Sequence, residues 1–371
     1  MQWLLLAYML PEFLFVLPMF AIYQTIGIYD TYLGMAIIYQ VHVLPFSIWM
    51  LKSFLEEIPK EIDDAAIIDP LGKRVVVSTD LLVEGVHFDL SYVPLKHLGY
   101  KAVIANLSDI CAMNSLPTQI LVGLGISNRF SVEALEELYS GMKLACELYE
   151  VDLVGGDTTS SPSGLTLSIT AMGLADPEKL VSRSGASAGD LLVVSGDLGS
   201  AYMGLQVLER EKSVFKDAPS IQPELDDHAY ILERQLKPEA RTDIVRELSD
   251  LEVKPTSMID VSDGLASECM HLMAASGLGV RLYEDKFPID PKTYDTAREF
   301  NLDPTVCMLS GGEDYELLFT ISPDDYEKLR NHPKLSFIGH MTENPDERIM
   351  VTKSGTDVEL KAQGWDGIKQ G

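Results

Sequence analysis

Arg74-Val75-Val76-Val77-Ser78-Thr79-Asp80 is the stretch on which the fold turns: a β-branched apolar run that ends in two hydroxyls and a carboxylate. Valine suits the pleated, half-buried surface of a sheet, so the run reads as a strand that delivers polar side chains at its end. Working outward, Leu95–Met113 reads as a helix, Gln119–Ile126 as a strand, and Val132–Tyr149 as a long helix with apolar residues at helical spacing. Asp152–Asp157 is a short strand closed by Gly-Gly-Asp, and Leu165–Leu174 is another strand. After Gly189-Asp190 a second half begins with strand Leu191–Ser195. Met258–Asp260 then enters Ser262-Asp263-Gly264 and a helix through about Ala275, and residues 315–321 form a strand after Gly311-Gly312-Glu313-Asp314. Alternating strands and helices predict an α/β (α+β) protein, and 371 residues suggest two packed domains or one large one.

The chain carries 29 basic and 56 acidic residues, a formal net charge of −27. So acidic a surface repels nucleic acid and anionic lipid, which excludes those partners. Cys111, Cys146, Cys269 and Cys307 form no Cys-x-x-Cys pair and match no zinc spacing; they read as buried, reduced thiols of a cytosolic protein.

The first 51 residues differ sharply in composition, with Glu12 and Asp30 as their only charged side chains. Residues 31–51 are charge-free, long enough as a helix to cross a bilayer core of roughly 30 Å. No basic segment precedes the apolar stretch, which argues against a cleaved signal peptide. Lys52 and Lys60 place the chain beyond residue 51 on the cytosolic side. The expectation is a two-helix hydrophobic segment that associates with membrane, the alternative a pair of buried core helices. Ile58-Pro59-Lys60-Glu61-Ile62-Asp63-Asp64-Ala65-Ala66 resembles the cytoplasmic docking loop of a sugar ABC transporter permease, and the likeness covers roughly residues 1–69. It ends at Pro70, and no further apolar spans occur after it, so transport by this chain is not expected.

Six aspartates, Asp64, Asp80, Asp109, Asp157, Asp260 and Asp263, lie at the ends of apolar elements beside Gly, Ser or Thr. Singly, such residues are caps and turn formers. Six together suggest convergence on one site. Carboxylates gathered around a polyphosphate require hard cations between them, and magnesium takes oxygen ligands while bridging phosphates.

Eight blocks then carry a resemblance over some 300 residues. They are Ser78-Thr79-Asp80-Leu81-Leu82-Val83-Glu84-Gly85-Val86-His87-Phe88, Gly99-Tyr100-Lys101-Ala102, Asn106-Leu107-Ser108-Asp109-Ile110, Gly155-Gly156-Asp157-Thr158-Thr159, Ser182-Arg183-Ser184-Gly185, Ile259-Asp260-Val261-Ser262-Asp263-Gly264-Leu265, Ser310-Gly311-Gly312-Glu313-Asp314-Tyr315-Glu316-Leu317 and Gly364-Trp365-Asp366. In this order they resemble the thiamine-monophosphate kinase family, of the aminoimidazole ribonucleotide synthetase superfamily. The resemblance implies a foreign segment over 1–60, an N-terminal kinase domain over 61–185 and a C-terminal α/β domain over 186–371. It implies a homodimer closed by a β-barrel between N-terminal halves. It implies several Mg²⁺ ions on Asp64, Ser78, Thr79, Asp80, Asp109, Asp157, Asp260 and Asp263; ATP on Gly156, Arg183 and Ser262; and thiamine monophosphate on His87, Glu313 and Trp365. The implied reaction is in-line transfer of the ATP γ-phosphoryl group to an already ionised phosphate, needing no strong general base. Other readings are a superfamily relative such as selenophosphate synthetase or a hydrogenase-maturation dehydratase, or an inactive, membrane-tethered chimera. The chain departs from the family at Lys60-Glu61-Ile62-Asp63-Asp64-Ala65, where Gly-x-Gly-Asp-Asp-Ala is usual; β-branched Ile62 resists the backbone angles glycine permits.

Overall fold

The computed structural model describes residues 66–68, 72–218, 222–223 and 225–361, with Thr25. The apolar segment, the permease-like loop, Asp64 and Trp365 lie outside the described residues. Among those described, no helix is long and apolar enough to cross a membrane.

Within the compact unit Asp64–Gly371, the first half is a five-stranded sheet of β1 (Ala66–Ile68), β2 (Arg74–Val83), β3 (Leu116–Ile126), β4 (Asp152–Ser160) and β5 (Leu165–Ala175), in the order β1-β2-β5-β3-β4. Only the β3–β4 pair is parallel; the crossover it needs is α2 (Val132–Tyr149), while α1 (Leu95–Ala112) joins β2 to β3. Alternation sorts the side chains. Val76, Ile120, Val122, Leu124, Leu167 and Ile169 are buried in one core with the α1 and α2 residues Leu98, Leu107, Leu138 and Met142. Leu81, Leu121 and Leu174 stand exposed. The two helices touch backbone to backbone: a Cβ on Gly99 would lie 2.0 Å from the Leu138 carbonyl oxygen, and one on Gly141 1.8 Å from that of Lys96.

The second half is a seven-stranded sheet, β12-β11-β8-β10-β6-β9-β7. Its strands are β6 (Leu191–Ser195), β7 (Ser257–Asp260), β8 (Gly279–Tyr283), β9 (Leu317–Ile321), β10 (Leu335–Thr342), β11 (Arg348–Val351) and β12 (Asp357–Glu359). The helices are α3 (Ser200–Asp217), α4 (Ala229–Leu236), α5 (Thr242–Asp250), α6 (Leu265–Ser276), α7 (Pro291–Glu299), α8 (Pro304–Ser310) and α9 (Tyr326–Leu329). Both faces of this sheet are covered. Leu318 of β9 packs with Leu265 and Leu272 of α6, while its neighbours Leu317 and Phe319 pack with Ile244 and Leu248 of α5.

Three expectations need correction. Asp80 is not at a strand end: β2 continues to Val83, paired with β5 as far as Thr166. Asp157 likewise lies inside β4, which runs to Ser160. The strand expected from 315 starts at Leu317, because Glu313 (φ 66°) and Tyr315 (φ 52°) adopt left-handed conformations that break an extended run.

Candidate active site

The site forms where the last turns of α1 meet β2 on one side and β7 on the other. On β2, alternation turns Ser78 and Asp80 one way and Thr79 the other. Ser78 Oγ donates a short hydrogen bond to Asp109 Oδ2, and the Asp80 N–H donates to Asn106 Oδ1 at 3.0 Å. From the residue before Asp109, Ser108 Oγ donates to Asp260 Oδ2 at 2.6 Å. Two consecutive residues of one helix thus grip both sheets.

These acids raise one another's proton affinity. Desolvation first, then the charges of Asp260 and Asp80, hold Asp109 well above the usual carboxylate range, against the Ser78 hydrogen bond and the Arg183 charge. Asp260 is also raised, chiefly by burial and further by Asp263, while Ser108 and Arg183 oppose. Burial pushes Glu268 up to about 8, although the Asp263 N–H donates to it at 2.9 Å. Among the described residues no three His, Cys, Asp or Glu side chains close into a ready-made metal cage. The donor set is nonetheless all hard oxygen, crowded and anionic, with Ser hydroxyls between the carboxylates. That chemistry fits a magnesium ion sharing its shell with phosphate and water.

Beside the acids opens a cavity of about 670 Å³, lined by His87, Lys101, Gln235, Ser262, Asp263 and Glu313 among others. His87 Nδ1 accepts the Val83 N–H at 3.0 Å, which orients its ring. Glu313 Oε2 receives both Lys101 Nζ and Gln235 Nε2 at 2.9 Å. Two glycine-bearing loops interlock along the wall. A Cβ on Gly312 would lie 2.3 Å from the Ser262 carbonyl oxygen, and the Glu313 N–H donates to that oxygen at 2.7 Å. Behind them Arg234 pairs with buried Glu316 at 2.8 Å. Asp314 accepts the Gly199 and Ala201 N–H groups at the start of α3; burial pushes it up to about 7 despite the Arg234 charge.

Ser78, Asp80, Asp109, Asp260, Asp263 and Arg183 are therefore brought together, with Ser262, His87 and Glu313 on the adjoining cavity wall. Thr79 is not among them: its hydroxyl bonds to the Ile169 carbonyl at 3.1 Å and meets Thr170 Oγ1 at 3.0 Å. Asp157 is exposed on the edge strand β4, three strands from β2, roughly 14 Å across the sheet. Gly156, beside it, permits a close approach, since a Cβ there would lie 1.9 Å from the Val122 carbonyl oxygen. The sequence reading gave no role to Lys101, Asn106, Ser108, Gln235 or Glu268. The first three sit inside motif blocks, which was the available signal, with Asn106 one helical turn before Asp109 and Ser108 beside it; Gln235 and Glu268 had none.

The model of "AIR synthase related protein, N-terminal domain" matches residues 62–175, and that of the C-terminal domain matches 187–352. Fold and site thus define an AIR synthase related protein. The thiamine-monophosphate kinase of Bacillus subtilis is 32% identical over 316 residues, 83% of this chain and 92% of that protein. The Aquifex aeolicus enzyme of that name is 33% identical over 305 residues, 82% and 91% respectively. A solved structure described as "AaThiL complexed with AMPPCP and TMP" superposes with a TM-score of 0.70 at 29% identity, covering 87% of this chain and 96% of that one. The chain belongs to the thiamine-monophosphate kinase family. Escherichia coli HypE, at 19% identity and a TM-score of 0.62, shares the fold alone.

Proposed function

We propose that the chain transfers the γ-phosphoryl group of ATP to thiamine monophosphate, giving thiamine diphosphate and ADP. The observation that carries this is the gathering of Asp80, Asp109 and Asp260 with Asp263, which lines one cavity together with His87 and Glu313, in a chain 32% identical to a thiamine-monophosphate kinase. That AaThiL was solved with AMPPCP and TMP supports both substrates. An oxygen of the acceptor phosphate attacks the γ-phosphorus as the bond to ADP breaks, and the attacking oxygen needs no deprotonation. Ser78, Asp80, Asp109, Asp260 and Asp263 would hold magnesium, which supplies charge neutralisation between the phosphates when bound. Arg183 suits the nucleotide phosphates through its paired donors. His87 and Glu313 face the acceptor. Asp64 and Trp365 complete the assignment by resemblance.

The same reading covers the margins of the chain. Leu81, Leu121 and Leu174, with Thr79 and Asp157, are exposed on the sheet face opposite α1 and α2, which suits a homodimer that closes a barrel there. Residues 1–60 stand as a foreign, permease-like segment before kinase halves 61–185 and 186–371. The kinase body is cytoplasmic, with any membrane association confined to residues 1–51. Incubation of the purified chain with ATP, Mg²⁺ and thiamine monophosphate tests the central claim: thiamine diphosphate should form stoichiometrically with ADP, and ADP without it would refute the assignment.

A further inference from the structure

Two of the acids assigned to magnesium are gripped by their backbone. Asp80 donates its N–H to Asn106 Oδ1 at 3.0 Å, and Asp263 donates its own to Glu268 Oε1 at 2.9 Å. Both acceptors are helix side chains shut away from solvent: Asn106 on α1 is fully buried, and Glu268 in the first turn of α6 is 2% exposed. The other end of the Asn106 amide is fixed as well, since Nδ2 donates to the Ala102 carbonyl at 3.1 Å, one turn back along α1. That bond turns Oδ1 towards β2. Glu268 Oε1 also lies 3.5 Å from Ser262 Oγ, a long contact to the residue before Asp263. Neither Asn106 nor Glu268 lines the cavity. A carboxyl group buried beside Asp263 is costly where an apolar side chain would fill the same space, so packing alone does not account for it.

We infer that Asn106 and Glu268 are positioning residues for the metal centre: each sets where one aspartate's carboxylate stands by holding that aspartate's backbone N–H. The grip on the amide has a chemical reason. A carboxylate that coordinates magnesium needs its oxygen lone pairs for the cation, and a bond to the backbone fixes the residue without drawing on them. Such outer partners act through the ligand they orient. The two anchors come from different halves, Asn106 from α1 of the first and Glu268 from α6 of the second, so each half aims one ligand. The inference rests on the reading of Asp80 and Asp263 as magnesium ligands. A helix-start role alone for Glu268, or a packing role alone for Asn106, predicts lost stability with metal affinity untouched.

The test uses Mn²⁺ as the probe for the magnesium site of the full chain. Its paramagnetic resonance signal reports the free ion in the presence of AMPPCP, read against AMPPCP without protein. Asn106→Leu and Glu268→Leu each remove the acceptor at little change of volume. Each should weaken Mn²⁺ binding about tenfold or more. The Mg²⁺ concentration for half-maximal thiamine diphosphate formation should rise by a similar factor, while KM for thiamine monophosphate at saturating Mg²⁺ stays within about twofold. Glu268→Gln, whose amide oxygen still accepts the Asp263 N–H, should hold Mn²⁺ affinity within about threefold of native. A merely structural role would lower the melting temperature in metal-free buffer and leave the Mn²⁺ affinity of the folded chain unchanged. Native affinity in both Leu variants overturns the inference, as does a folded Glu268→Gln chain that binds Mn²⁺ as weakly as Glu268→Leu. Where one Leu variant does not fold, the other decides. A native chain that binds Mn²⁺ yet makes no thiamine diphosphate refutes the kinase assignment and leaves the anchoring in place. One that binds no Mn²⁺ overturns the metal reading and this inference with it.

Discussion

Ser108 Oγ and Asp260 Oδ2 lie 2.6 Å apart, and this bond runs from the helix of one half to the strand of the other. The next helical residue, Asp109, takes the Ser78 hydroxyl of the first sheet. These acids thus sit on the seam between the halves, and their spacing depends on how firmly the halves are held.

Asp109→Asn removes a charge and almost no volume. Turnover should fall by at least about 100-fold at saturating Mg²⁺, as expected when a group positioned for charge stabilisation is lost. The fold should survive, and its melting temperature in the absence of metal should stay level or rise, because Asp260 and Asp80 lose a like-charged neighbour. Near-normal turnover at limiting Mg²⁺ would remove Asp109 from the site.

Gly141→Ala tests the helix crossing. The added methyl would sit 1.8 Å from a backbone oxygen that cannot retreat without moving α1. A loss of about 3 kcal/mol in urea unfolding is expected. Gly125→Ala, whose new methyl would meet Thr166 Cβ at 3.6 Å, is the comparison and should cost far less. Equal losses would mean that the close approach of the helices is not what matters.

Asp314 supplies a pH dependence. Its folded value of about 7 lies above the ordinary 3.8, so the protonated form favours folding. That contribution is complete below about pH 4 and is lost as pH rises through 7. Relative to Asp314→Asn, the native chain should lose on the order of a few kcal/mol of stability between those limits. Denaturant titrations of both chains at several pH values should diverge over that window; parallel curves would show that Asp314 ionises normally.

The sheet face that carries exposed Leu81, Leu121 and Leu174 predicts assembly. Leu121→Glu places a charge at its centre and should turn a dimer into a monomer in light scattering at micromolar concentration. A native chain that is itself monomeric there would refute the dimer.

A chain beginning at Glu61 should stay soluble without detergent, while the full chain should aggregate or partition into vesicles. Equal solubility would mean that residues 1–51 pack within the folded protein.

Much of the fold and site was legible in the sequence, for physical reasons that differ by residue. Val132–Tyr149 was legible from the helical spacing of its apolar residues; the structure gives the same bounds and adds a cap, with Ser131 Oγ accepting the Ala134 N–H. Asp109, Asp260 and Asp263 stood out because glycine, serine and apolar runs frame them. Asp80 misled, since Ser-Thr-Asp looks like the end of a strand yet β5 continues to pair with it. Lys101 and Gln235 were illegible as a pair: they come from different helices and meet only at Glu313, whose left-handed backbone no local pattern announced.

Gly99 and Gly141 let α1 and α2 meet backbone to backbone, so any tilt of one helix must displace the other. Ser108 and Asp109 ride near the last turn of α1 and hold Asp260 and Ser78. Two absent side chains far from the acids therefore set how steadily those acids keep their places.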